Sequence, residues 1–217
     1  SYDGKALLKT CTNGASELMS NISMSLVGLL FNVQLMAYAG ENGVAAYGVI
    51  MYIDFIFLAA FIGYAMGTAP VISYHFGAEN HAELKSLLRK SLIILLISSV
   101  GMFVFAEAAA RPLALIFASY DPTLLDITIH GFRIYSISFL FVGFTIFGSS
   151  FFTALNDGIT SAIISFLRTL VFQISAVILL PLIWETDGIW ASIVVAELMA
   201  FTITIIFMII KKKKFNY

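Results

Sequence analysis

Two carboxylates, two amides and one guanidinium stand inside long apolar stretches of this 217-residue chain: Asp54, Glu197, Asn32, Gln34 and Arg168. A charge held in hydrocarbon is costly unless it is paired or hydrated, so such residues are candidates for binding before anything else. Their depth can be counted. Asn32 and Gln34 lie eight and six residues before Gly40, Asp54 lies ten residues after Val44, and Glu197 nine after Gly188. At about 1.5 Å per residue, all four sit roughly 9–15 Å below one surface of a membrane. They share a layer, with Tyr38, Tyr47, Tyr52 and Phe55 close to Asp54 in sequence. An acidic, aromatic layer of this kind suits an organic cation or a coupling ion. Asn32 and Gln34 also suit plain hydrogen bonding between helices. Arg168 lies ten residues after Gly158, counted from the opposite surface, and is expected to form a structural ion pair with one of the carboxylates or to gate a cavity. Glu17, at the entrance to the first apolar stretch, is a further candidate for a proton or ion.

Other chemistry finds no support. The chain has no HExxH, GxSxG, CxxC or phosphate-binding glycine loop. His75, His81 and His130 fall in or near loops without a third ligand at metal spacing, so no metal site and no enzyme are expected. The single cysteine, Cys11, cannot form an internal disulfide.

The elements that carry these residues follow from the apolar runs. They are Leu18–Gly40, Phe55–Tyr74, Ser91–Ala106, Ile134–Asn156, Thr169–Trp184 and Gly188–Ala196, the last continuing past Glu197 as Leu198–Ile210. About 20 such residues span a hydrocarbon core of about 30 Å. Backbone groups there must be satisfied internally, and the runs lack the polar alternation of barrel strands, so helices are expected. Hydrophobic residues make up 60% of the chain and charged residues 12%, half of the roughly 25% charge usual in soluble domains. The fold expected is an all-α integral membrane bundle of six transmembrane helices, at about 14–40, 44–75, 88–110, 123–155, 159–184 and 188–210. Residues 1–12 form a linker before the lobe at 13–210, and residues 211–217 form a basic tail.

Lysine and arginine set the orientation. Lys5, Lys9, Lys85, Arg89, Lys90 and Lys211–Lys214 fall on one side, whereas the connections on the other hold only Arg111 among several acids. Both termini are therefore expected in the cytoplasm, with the Lys211–Lys214 run anchoring on anionic headgroups rather than nucleic acid. Local signals mark the ends. Asn42-Gly43 suits a tight turn, Asn80 and Glu83 have capping-box spacing, Asp121-Pro122 and Asn156-Asp157-Gly158 punctuate helices, and Pro70 and Pro181 should kink or end theirs. Gly63 and Gly67 form a GxxxG pair that permits close helix approach. The chain opens on Ser1, which suggests a piece of a longer protein.

Several segments resemble one family. Gly63-Tyr-Ala-Met-Gly-Thr-Ala-Pro-Val-Ile-Ser-Tyr-His-Phe-Gly-Ala-Glu-Asn80 resembles the end of helix eight and the following loop of MATE (multidrug and toxic compound extrusion) transporters. The segment Phe151–Arg168 resembles their passage from helix ten to eleven. Gly188-Ile-Trp190 with Glu197 resembles the start of helix twelve, and Tyr38–Gly40 with Val44–Tyr47 the hairpin between helices seven and eight. The resemblance runs over nearly the whole chain, from about residue 13 to 210.

The resemblance implies the C-terminal six-helix lobe of a twelve-helix transporter, nearest the bacterial multidrug branch and sited in the bacterial inner (plasma) membrane. It implies export of cationic or amphipathic drugs in exchange for sodium or protons, with no cofactor, by two lobes rocking about a central cavity. Glu17 lies in the helix that carries a coupling Glu in some members, about a turn earlier. Asp54 lies near the helix-eight acid of others, and Ile134–Asn156 lacks the helix-ten acid found in still others. One lobe offers one wall of a cavity, so the expected partner is an N-terminal lobe or a second copy of this chain, beside lipid and small organic cations. The rival expectations are a lipid-linked oligosaccharide flippase of the same superfamily, which would need a basic cavity, and a non-transporting membrane scaffold.

Overall fold

The computed structural model describes the backbone of residues 4–217, with side chains at Gly4, Leu8, Thr10, Cys11 and from Asn21 onward. The described residues form helices joined by short turns: α1 (Gly4–Gly77), α2 (His81–Ala118), α3 (Pro122–Ser136), α4 (Phe139–Ala154), α5 (Gly158–Phe166), a π-helical segment (Leu167–Phe172), α6 (Gln173–Leu179) and α7 (Pro181–Phe215).

The hydrogen-bonded run of α1 hides a hairpin. Its apolar part alone covers 57 residues, about 85 Å of helix, far more than a bilayer. Gly40 breaks it, at φ 65° and ψ −157°, a conformation open in practice to glycine alone. The two limbs then run antiparallel. Phe31 and Tyr47 stack with ring centroids 5.0 Å apart, although 16 intervening steps of straight helix would part them by about 24 Å. The turn thus pivots on Gly40, not on the Asn42-Gly43 pair. Gly43 instead serves close packing, since a Cβ there would lie 2.5 Å from that of Ala39. α7 is broken likewise at Glu185 (φ 48°, ψ −127°), where Gly188 tucks against the Leu180 carbonyl.

Among the described residues, four helical stretches are long and apolar enough to cross a membrane, and α3 with α4 makes a further span bent by 51°. With α1 folded at Gly40, the chain makes six crossings. The bend between α3 and α4 falls at Ile137–Ser138, without glycine or proline. Ser136 Oγ donates to the Arg133 carbonyl at 2.8 Å and to Glu107 Oε1 at 2.7 Å, and the next amides, Ile137 and Ser138, close on carbonyls three residues back. Hydroxyl back-bonding of this kind bends helices. Pro70, in contrast, lies within a limb that stays helical to Gly77, and Pro181 opens α7.

The caps agree with the sequence. Asn80 Oδ1 accepts from the Glu83 amide at 3.2 Å. Asp121 Oδ1 accepts from Thr123 at 2.8 Å, and Asp157 caps α5 through Thr160. Lipid gives little hydrophobic push between helices, so small residues and hydroxyls join them. Gly131 lies under the Trp190 ring, Gly143 under Phe61 and Gly148 against Thr204. Ser149 on α4 bonds Ser161 and Ser165 on α5 at 2.9 and 3.0 Å, and Tyr64 Oη donates to Ser91 on α2. Gly63 and Gly67 meet nothing within 4 Å, so this lobe makes no use of the GxxxG pair. Opposite ends of the bundle are held by polar side-chain contacts: Lys211 with Asp157 at 3.1 Å at one, His130 with Asp187 at 2.7 Å at the other.

Candidate functional site

Five spans converge on a cavity of about 280 Å³, the first limb of α1 contributing Met24, Val27 and Phe31. The second limb of α1 supplies Tyr47, Met51, Asp54 and Leu58, which share a face because their spacing follows the helical repeat. α7 contributes Ile193 and Glu197, one turn apart. The bend between α3 and α4 supplies Tyr135, Ser138 and Val142.

Arg168 arrives through the π-helical segment. There the Gln173 amide bonds the Arg168 carbonyl, five residues back, so one extra residue is wound into the turn. Such π insertions cluster at functional sites. Arg168, Thr169 and Gln173 all border the cavity.

The charges have distinct surroundings. Glu197 is 1% exposed and fully engaged: Arg168 Nε donates to its Oε1 at 2.8 Å and Thr145 Oγ1 to its Oε2 at 2.9 Å. Asp54, 6% exposed, borders the same cavity as Tyr135 and feels the charges of both Glu197 and Arg168. Among the described residues it has no cation of its own within ion-pair distance. With both carboxylates ionised, the three groups sum to one negative charge, and Asp54 carries it. The cavity can therefore hold one monovalent cation or accept one proton without moving the Arg168–Glu197 pair.

Of the residues singled out in the sequence, Asp54, Glu197 and Arg168 come together. Asn32 and Gln34 do not join them. Asn32 is exposed and borders a separate groove with Gly28, Val33 and Met36, next to the cavity face of its limb, Met24 being common to both. Gln34 is half-buried and lines neither. The side chain of Glu17 lies outside the described residues. Tyr47 and Phe55 border the cavity, while Tyr52 faces outward to stack on Phe117. Tyr135 and Thr145 escaped the sequence reading because they carry no charge. Their signal was the stripe Tyr135, Ser138, Val142, Thr145, at helical spacing through an otherwise apolar run.

The described residues thus form a six-crossing helical lobe with carboxylates gathered around a cavity. Solved structures agree. The whole chain superposes on 49% of a MATE transporter crystallised with the ligand MaL6, with TM-score 0.91 and 21% identity. The same figures hold for an outward-facing multidrug resistance MATE transporter of the MOP superfamily. A MOP superfamily transporter from Pyrococcus furiosus, whose binding pocket is described as reversed in polarity, matches over 49% of its length with TM-score 0.89 and 21% identity. The chain thus spans about half the length of the transporters it resembles. No curated protein shows a significant sequence match. The sequence matches the MatE family over residues 18–179, and the chain belongs to that family.

Proposed function

We propose that this chain is one lobe of a cation-coupled antiporter that exports cationic or amphipathic organic molecules, with sodium or protons as the coupling ion. The observation that carries the reading is the Asp54 carboxyl group, without a basic partner among the described residues, beside a satisfied Arg168–Glu197 pair in one cavity. Substrate cation and coupling ion would compete for Asp54, so loading one releases the other. This is the least machinery that exchange requires. The aromatic wall of Phe31, Tyr47 and Phe55 suits a flat organic cation. An anionic lipid-linked sugar would need a basic cavity, whereas the only guanidinium here is already bonded to Glu197.

Alternating access needs two rigid bodies moving about a site. The lobe would therefore act with an N-terminal lobe or a second copy of itself, in the bacterial plasma membrane with both termini cytoplasmic. Two experiments test this. In cells lacking endogenous exporters, the chain as a demonstrated monomer should give no ion-driven ethidium efflux; robust coupled efflux would sink the two-lobe requirement. Purified in nanodiscs, the chain should bind tetraphenylphosphonium, with Asp54→Asn weakening binding at least tenfold. Equal binding by the two proteins would remove Asp54 from the site.

A further inference from the structure

A second cavity, of about 540 Å³, opens on the side of the bundle between α2 and α7. Both helices pack on α4, and they leave a gap between them floored by Phe144. It shares no residue with the Asp54 cavity. At the end of the bundle that holds Asp157, its mouth carries Lys85 and Arg89 on α2, one turn apart, and Lys212 on α7. Away from that mouth the walls are hydrocarbon: Leu92, Leu96, Phe201 and Ile205. The polar groups inside are turned elsewhere, Thr204 to the Ala200 carbonyl and Tyr217 to the Met208 carbonyl.

Among the described residues, the three cations at the mouth have no acidic partner within ion-pair distance. Ion pairs at this end engage Lys90 with Glu83, and Lys211 and Lys214 with Asp157. Among the described residues none joins a carboxylate to Lys85, Arg89 or Lys212. The groove thus presents three positive charges at the edge of the bundle, then an apolar trough. From Leu88 to Leu96 that trough runs eight residues along α2, about 12 Å.

We propose that this groove is a binding site for one anionic glycerophospholipid of the leaflet that meets the Asp157 end, its phosphate held by Lys85, Arg89 and Lys212 and an acyl chain lying between α2 and α7. The order of charge and hydrocarbon along the groove is that of a lipid standing in its leaflet. Surface cations attract anionic headgroups generally. The apolar trough below these three adds the retention that a bare lysine patch lacks. Three unopposed cations also bar the organic cations expected at Asp54. The site is independent of whatever the lobe transports.

Native mass spectrometry of the purified chain, with phosphatidylglycerol and phosphatidylcholine of equal chain length, tests the proposal. One phosphatidylglycerol should stay bound at activation energies that strip phosphatidylcholine, with at least tenfold preference in competition. Equal retention of the two lipids would overturn it, because the groove would then hold bulk lipid only. Lys85→Gln/Arg89→Gln/Lys212→Gln should abolish the preference, while Lys90→Gln/Lys213→Gln, at the same end but outside the groove, should keep it. A preference lost equally in both sets would reduce the site to diffuse surface charge. Displacement of the lipid by millimolar inorganic phosphate alone, or by tetraphenylphosphonium, would likewise overturn it.

Discussion

Removing Arg168 should destabilise the lobe far more than removing Arg168 and Glu197 together. The Nε–Oε1 distance is 2.8 Å, and the side chains are 17% and 2% exposed. At an effective dielectric of about 20, the attraction at that separation is about 6 kcal/mol. Desolvation of two buried ions takes back most of it, so the intact pair contributes little net stability. The single variant Arg168→Met is different. It strands the Glu197 carboxylate with only Thr145 as donor, and breaking a buried pair in this way costs about 3–5 kcal/mol. Glu197→Gln leaves a guanidinium that still borders the cavity and can reach water there, so its cost should be smaller, about 1–3 kcal/mol. The double variant Arg168→Met/Glu197→Gln should recover most of the loss. SDS-induced unfolding of the chain in mixed micelles, followed by tryptophan fluorescence, yields the full cycle. If Arg168→Met is as stable as the parent, or the double variant is as damaged as the worse single one, the buried-pair account of this site is wrong.

Three further outcomes follow from the geometry. Gly40→Ala should cost about 1–3 kcal/mol in the same unfolding assay, because φ 65° with ψ −157° excludes a Cβ; an unchanged midpoint would show that the hairpin does not pivot there. Tyr135→Phe removes a hydroxyl from the wall of the Asp54 cavity and should change tetraphenylphosphonium affinity several-fold without altering the unfolding midpoint by more than about 1.5 kcal/mol; unchanged affinity would detach Tyr135 from the site. At the charged end, burial pushes the Asp157 carboxyl up, but the Lys211 ammonium and the Thr160 donors together outweigh it and hold it below its ordinary value of 3.8. A depressed carboxyl stabilises the fold above its unfolded value, and that contribution is lost as pH falls through the folded one. Stability should therefore be flat in this respect above about pH 5 and decline below about pH 4, with Asp157→Asn flattening the acid limb. An identical acid limb in the variant would refute the assignment.

The amino-acid sequence by itself determined the fold class, several helix caps and the family. Long uncharged runs leave a backbone no choice but helix in a bilayer, and local signals such as Asn80, Asp121 and Asp157 cap the helices where their side-chain chemistry requires. Depth along each helix could be counted, because rise per residue converts position into distance. The azimuth of each residue around the bundle could not. Asn32 and Asp54 have the same depth by counting, yet one faces outward and the other a cavity, because helix rotation depends on which neighbour each face packs against. Only the tertiary structure decided that Arg168 pairs with Glu197, 29 residues away, since a π turn and an antiparallel neighbour had to bring them together. It alone bent the fourth span at Ile137–Ser138, through a bond from Ser136 to Glu107 on another helix. Nothing within the local sequence encodes a contact whose second partner arrives from a distant span.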